Sequence, residues 1–262
     1  MYEDIGGRAA FDALIGAVLD AGELALNLYR GGAGQRAQKK PDRSPVTEAD
    51  QAVERALAGF VKARFPTARF FGEEHGGDAQ SARGLRFVVD PIDGTRAFMR
   101  GLPTWSILVG LELDGEPVAG VAYMPAAGDL FSAVRGEGAY VNGRPVRLSQ
   151  VAALGDALVC HGALSQFVDD GREALLGRLA RASYTQRGLA DFAGYRALLL
   201  GQADAVIDPM VQPYDVAAAA VLIREAGGKL TSLTGDDTIY GPGAIASNGL
   251  LHEQLLAVIA EP

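Results

Sequence analysis

The hydrophobic pattern changes its period near residue 86, and any fold for this chain must accommodate both halves. Before that point Phe11, Leu14, Ile15, Val18, Leu19, Gly22 and Leu26 recur at helical spacing, which predicts an amphipathic helix over residues 8 to 29 with its apolar stripe on a core. Gly31, Gly32 and Gly34 then open a basic loop with Arg36, Lys39 and Lys40 that runs to Pro45, and a second helix is expected to start near Thr47. From Arg86 the runs become short and β-rich: Phe87 to Asp90, Trp105 to Leu113, Pro117 to Met124, Leu130 to Val134, Ala139 to Val141 and Val146 to Leu148. Asp114-Gly115 and Asn142-Gly143 between them suit tight hairpin turns, so this half reads as an antiparallel sheet. After about residue 155 strands and helices alternate: Ala157 to His161, helices near Gly171 to Ala182 and Phe192 to Leu200, Ala205 to Ile207, and helices near Asp215 to Ala226 and His252 to Ile259. The expectation is one unit, residues 1 to 262, with an antiparallel subdomain over about 1 to 150 and a layered α/β subdomain over 151 to 262.

With 262 residues, 48% of them hydrophobic, the chain can bury a sizeable core. No run approaches the ~18 to 20 apolar residues needed to span a bilayer, and Glu3 and Asp4 stand where a signal peptide would be basic, so a soluble, cytoplasmic protein with no membrane partner is expected. The single cysteine, Cys160, lies in an apolar run and reads as a buried reduced thiol. Net charge is 24 − 32 = −8, which argues against nucleic acid as a partner.

Several of those acids fall in short motifs. Asp90-Pro91-Ile92-Asp93-Gly94-Thr95 directly follows the apolar strand Arg86 to Val89, so two carboxylates three residues apart emerge where a strand ends. Pro91 fixes one φ angle and Gly94 permits a tight turn, which makes this a loop able to converge groups on one point. Asp90 and Asp93 are hard oxygen ligands suited to Mg²⁺, the Ile92 carbonyl could add another, and the amides of Gly94 and Thr95 could hold a phosphate oxygen. Read alone, Asp93-Gly94 could also be a turn and Asp90 a cap. Upstream, Glu73 and Glu74 stand between glycines after Phe70-Phe71; downstream, Asp208-Pro209 and Pro213-Tyr214-Asp215 precede an Ala-rich helix, whose dipole Asp215 would favour in any case.

In the order and spacing of Ser44-Pro-Val-Thr-Glu-Ala-Asp50, Gly72-Glu-Glu74, Asp90 to Thr95 and the Tyr214 to Gly228 run, the chain resembles the inositol monophosphatase superfamily over nearly its whole length. Lys40-Pro-Asp-Arg-Ser-Pro-Val-Thr47 and Ala246-Ser-Asn-Gly-Leu-Leu-His252 resemble its histidinol-phosphate phosphatase branch most closely. The resemblance implies an αβαβα sandwich, a homodimer, and two or three Mg²⁺ ions held by Glu73, Asp90, the Ile92 carbonyl, Asp93 and Asp215. Tyr214 stands where the family commonly has Trp, an exchange of one aromatic for another.

The reaction expected is hydrolysis of a small phosphate monoester by metal-activated water, with Glu73 and Thr95 holding the water and Thr95 relaying its proton to neighbouring carboxylates. Asp50 fits two roles that can coexist, a helix capping box with Thr47 and the orientation of waters around a third ion. Glu74 fits either a supporting role or a surface one, and Lys40 either closes on the site or is solvated. His75, His161 and His252 have no zinc-ligand spacing and read as structural or exposed, and Trp105 as core. Substrate contacts are expected from Asp93, Gly94, Thr95 and Asp215, and, by the family's spacing, from Asp191 and Asp208. An acidic pair at 191 and 208 suits a cationic end, as in L-histidinol phosphate. If instead Asp208 binds hydroxyls and Asp191 caps the following helix, inositol 1-phosphate fits. Arg187 keeps a bisphosphate in view, and a catalytically weak phosphate-binding protein is the alternative outside enzymes.

Overall fold

The computed structural model describes residues 2–39, 45–77 and 83–260, and within them the chain folds into five layers. Helices α1 (Arg8–Arg30) and α2 (Glu48–Arg64) flank a two-stranded ribbon of β1 (Gln38–Lys39) and β2 (Pro45–Val46). The next strands are β3 (Arg69–Gly72), β4 (Gly76–Gly77) and β5 (Leu85–Asp93); a short helix, α3 (Thr95–Met99), then leads to β6 (Ser106–Leu113), β7 (Glu116–Met124), β8 (Asp129–Val134), β9 (Ala139–Val141) and β10 (Arg144–Pro145). The remainder comprises β11 (Leu158–His161), α4 (Leu164–Asp169), α5 (Glu173–Ala182), β12 (Thr185–Arg187), α6 (Phe192–Leu199), β13 (Ala205–Asp208), α7 (Pro213–Glu225), β14 (Lys229–Thr231), β15 (Ala244–Ser247) and α8 (His252–Ala260).

Eight strands form the larger sheet in the order β10-β9-β8-β7-β6-β5-β3-β4, and five form the second, β12-β11-β13-β15-β14. Alternation of side chains decides the layering. Phe87 and Val89 of β5, with Ile107, Val109 and Leu111 of β6, face the core shared with α1 and α2. Val88 and Leu108 point the opposite way, into the core built on α6 and α7 between the two sheets. On the far side of the second sheet, Phe167, Leu175, Leu179 and Leu255 of α4, α5 and α8 complete a third core. The expected αβαβα sandwich is therefore the fold.

Both hairpin turns form as read: Asp114 and Gly115 have φ of 53° and 89°, Asn142 and Gly143 of 49° and 75°. Four expectations need correction or extension. The strands from β5 to β10 pair antiparallel as expected, but the sheet of the first half also takes in β3, an unforeseen strand that runs parallel to β5. Val146 to Leu148 is no strand; Pro145 ends β10, and Val146 and Leu148 instead pack sideways against the central core. Helix α7 starts two residues early, with Pro213 in its first turn, where a missing N–H costs nothing. The Asp90–Asp93 segment is the end of β5 rather than a loop: Asp90 pairs with Leu108 and Asp93 with Ser106, so β5 carries one extra residue, a bulge where Pro91 cannot donate to the ladder.

Helix α7 lies directly on the large sheet. A Cβ on Gly120 of β7 would stand 2.6 Å from the Ala218 carbonyl oxygen and 3.0 Å from its Cα, so small residues on both partners set the distance at which α7 sits, and with it the place of Asp215 in its first turn. Replacing Gly120 with Ala is expected to lower the unfolding free energy by about 1 to 3 kcal/mol through overpacking. Urea denaturation with an unchanged midpoint would contradict that packing.

Candidate active site

Five elements end on one cavity of about 410 Å³: the bulged end of β5, the start of α3, the first turn of α7, the start of α6 and the end of β13. Glu73, in the turn between β3 and β4, lines it as well, together with Asp90, Ile92, Asp93, Gly94, Thr95, Asp191, Asp208, Tyr214 and Asp215. Asp90, Asp93 and Asp215 offer carboxylate oxygens within 4.8 Å of one another. Two of the three are deeply buried, with Asp90 3% and Asp93 5% exposed.

Each acid accepts hydrogen bonds that orient it, Asp93 from residues distant in the chain. The Ile92 N–H donates to Asp90 Oδ1 at 3.0 Å, and Ser106 Oγ and the Phe192 N–H donate to Asp93 Oδ2, both at 2.7 Å. Asp215 Oδ2 accepts the Gln212 N–H at 2.7 Å, which caps α7. These bonds orient the carboxylates without neutralising them. Burial, then Glu73 and Asp93, push the Asp90 carboxyl far above the ordinary range; burial, then Asp191 and Asp215, do the same to Asp93. Burial raises Asp215 to about 7 against the opposing Gln212 bond. Among the described residues lining the cavity, Arg96 is the one cation, and it acts on Asp191. Three convergent hard oxygen donors whose charges repel suit a divalent cation of the Mg²⁺ type, and Glu73 and the Ile92 carbonyl beside them could extend the set.

Asp50 performs the capping role and reaches the site at the same time. Its Oδ2 accepts from the Thr47 N–H (2.7 Å) and Thr47 Oγ1 (2.5 Å), while Oδ1 accepts from Thr95 Oγ1 at 3.2 Å. Thr95 Oγ1 also lies 3.1 Å from the Ile92 carbonyl oxygen. Gly94 adopts φ 83°, and a Cβ there would meet Asp191 Oδ2 at 3.0 Å, so glycine serves both the turn and the close approach of Asp191.

Asp191 occupies the N-cap position of α6 but makes no capping bond; the carboxylate that caps α6 is Asp93, from the end of β5 in the large sheet. Its backbone, φ 59° and ψ −159°, is strained for a residue with a side chain. Asp208 is buried beside the Tyr195 hydroxyl, and burial raises its carboxyl to about 7, the phenol opposing.

Other expectations resolve by position. Arg187 bonds Thr185 Oγ1 and the Gln186 carbonyl oxygen and is not among the cavity-lining residues. His252 is buried between Thr231 Oγ1 and Ser247 Oγ, with burial lowering it to about 4; His161 Nδ1 meets the Gly162 carbonyl oxygen, and His75 pairs with Glu54. Trp105 is fully buried core, and burial pushes the Cys160 thiol up to about 12, far from a nucleophile. Tyr214 packs its ring against Phe71. The Glu74 N–H donates to Glu54, which gives that residue a backbone role; Lys40 lies outside the described residues. Sequence reasoning missed Ser106, Tyr195, Arg96 and Glu54. The capping box spacing pointed at Asp50, but nothing comparable marked these four.

Residues 9–261 match the model of the inositol monophosphatase family. The histidinol-phosphatase of Mycobacterium tuberculosis (strain ATCC 25618 / H37Rv) is 38% identical over 246 residues, covering 92% of this chain and 94% of that protein. The histidinol-phosphatase of Chlorobaculum parvum (strain DSM 263 / NCIMB 8327) is 34% identical, with 91% and 92% covered. Among solved structures, a Thermotoga maritima IMPase superposes with a TM-score of 0.85 at 27% identity, over 95% of this chain and 96% of that one. No helix among the described residues is long and apolar enough to cross a membrane. With the buried acidic cluster at the meeting of five elements, these matches make the chain a member of the inositol monophosphatase family, metal-dependent phosphoric monoester hydrolases.

Proposed function

We propose that this enzyme hydrolyses a small phosphate monoester bearing a cationic end, best matched by L-histidinol phosphate, in a Mg²⁺-dependent reaction. The observation that carries the substrate reading is a further pair of acids lining the same cavity, Asp191 and Asp208, in addition to the Asp90, Asp93 and Asp215 cluster. A protonated amine or imidazole placed there would draw Asp208 into its ionised form and find two carboxylate acceptors. The names of the two similar histidinol-phosphatases support the same reading.

Glu73, Asp90, the Ile92 carbonyl, Asp93 and Asp215 would hold two or three Mg²⁺ ions. Bound there, Mg²⁺ supplies neutralisation of the phosphate and leaving oxygen and a lowered pKa for the attacking water. The residues do the rest. Thr95 Oγ1 has one proton to share between Asp50 Oδ1 and the Ile92 carbonyl oxygen, so its lone pairs are available to accept from a water held jointly with Glu73. A proton taken by Thr95 passes to Asp50, whose carboxyl burial has raised above the ordinary range. Gly94 and Thr95, at the start of α3, would contact the phosphate. The proposal includes a homodimer in the cytoplasm.

Asp208 favours one alternative, because a carboxyl raised to about 7 can also donate to a ring hydroxyl, as an inositol 1-phosphate substrate would require. The deciding experiment compares kcat/KM for L-histidinol phosphate and myo-inositol 1-phosphate. A preference for the former of ~100-fold, about 2.7 kcal/mol, is expected, and Asp208→Asn is expected to reduce it to within ~10-fold. Preference for the inositol ester would overturn the substrate, and absence of metal-dependent release from either, or from a wider set of phosphate esters, would favour a phosphate-binding protein.

Removing one charge from the crowded cluster should stabilise the metal-free protein while weakening its response to metal. At pH 8, metal-free Asp90→Asn is expected to melt about 2 to 4 °C above the metal-free parent, for ~1 kcal/mol of relieved repulsion. The rise in Tm that Mg²⁺ confers on the parent should shrink in the variant. A full Mg²⁺ response in Asp90→Asn would contradict its assignment as a ligand.

A further inference from the structure

Glu54, a buried acid that the proposed chemistry does not use, lies one helical turn beyond Asp50 on α2, on the same face. Its side chain is 1% exposed, and both oxygens are engaged by the turn that carries Glu73. Oε2 accepts the Glu74 N–H at 2.8 Å; Oε1 accepts the His75 N–H at 2.9 Å and lies 2.6 Å from His75 Nδ1. On the other side of the turn, the Glu73 N–H donates to the Val89 carbonyl oxygen at 3.1 Å, one residue before Asp90. Gly72 makes room for this arrangement, since a Cβ there would stand 2.4 Å from the Glu54 carboxyl carbon. The backbone on both sides of Glu73 is thus tied to separate elements, β5 through Glu73 itself and α2 through its two successors.

We propose that Glu54 is a positioning residue: its carboxylate fixes the Gly72–His75 turn so that Glu73 faces the acidic cluster ready to bind metal. This rests on the reading of Glu73 as a metal ligand. Two N–H donors reach two different oxygens, so the acceptor must be a carboxylate; a glutamine would have to turn its NH₂ toward one of the donors. A fold that needed only helix packing here would be better served by an apolar residue, because a buried charge is costly unless fully hydrogen-bonded. Asp50 and Glu54 therefore divide the work of α2, the first reaching Thr95 and the second setting Glu73.

The test measures the Mg²⁺ dissociation constant by calorimetry for the parent, Glu54→Gln, Glu73→Gln and Leu57→Ala, together with amide hydrogen exchange at Glu74 and His75 in the metal-free proteins. Leu57, buried on the same helix, controls for general loss of stability. Glu54→Gln is expected to raise the dissociation constant ~10-fold, in keeping with residues that orient metal ligands, and to speed exchange at those two amides. Leu57→Ala should leave Mg²⁺ affinity unchanged. If Glu54→Gln does not fold, Glu54→Asp, which keeps the charge but withdraws it by one methylene, should weaken binding in the same direction. Weaker binding in Glu73→Gln with parental affinity in the Glu54 variant overturns the role of Glu54 alone. Parental affinity in both overturns the ligand assignment of Glu73 as well.

Discussion

The crowding of Asp90, Asp93 and Asp215, the first two deeply buried, is the constraint around which this structure is arranged. Left to itself such a group would separate or protonate, since burial and like charge both penalise the ionised forms. The fold holds it by mounting the acids on elements that cannot easily part. Asp90 and Asp93 stand on the bulged end of a central strand, and Asp215 on a helix pressed against the same sheet. Helix, sheet and cluster are then one mechanical unit. A divalent cation placed there would offset the crowded negative charge, which is the physical reason a metal suits this place.

Several residues serve packing and chemistry with one side chain. Asp93 reaches from the large sheet to cap α6, which belongs to the layer between the sheets, so a candidate ligand also joins layers. Asp50 caps α2 with one oxygen and meets Thr95 with the other. A buried ion pair, Arg86 with Glu112, adds a further tie, because Tyr240 of the β14–β15 connection bonds Glu112 at 2.5 Å. Such sharing means that substitutions at the acids will alter stability and activity together. Asp191, with its unfavourable backbone, is relieved of capping α6, whose start Asp93 satisfies instead.

Much of this was legible in the sequence where the physics is local. Helical period marked α1, the Asp114-Gly115 and Asn142-Gly143 pairs marked both hairpins, and the two acids around Pro91 marked the centre of the cavity. The αβαβα layering came from family resemblance, since periodicity cannot say which faces meet. What escaped depends on contacts between residues far apart in the chain. Glu54 reads as one more polar residue of an amphipathic helix until the turn 20 residues later closes over it. Ser106 and Tyr195 look like ordinary strand and helix residues, and only tertiary packing puts them against Asp93 and Asp208. The strand through Asp90 to Asp93 reads in the sequence as a loop, because Pro91 normally ends a ladder, whereas in the fold a bulge absorbs it.

If the Asp90, Asp93 and Asp215 group holds metal and Asp191 and Asp208 meet the substrate, as proposed, chemistry and specificity rest on different residues of one cavity. The claim on which everything else rests is that the first group works through metal. The most direct measurement is kcat/KM for phosphate release from L-histidinol phosphate as Mg²⁺ is titrated, for the parent and for Asp93→Asn, which preserves side-chain shape while removing one charge. Release in the parent should require Mg²⁺ and should fall by ~100-fold or more in the variant, beyond the ~10 to 100-fold that loss of a merely orienting group costs. Equal rates in the two proteins, or release in the parent that is indifferent to Mg²⁺, would contradict that claim.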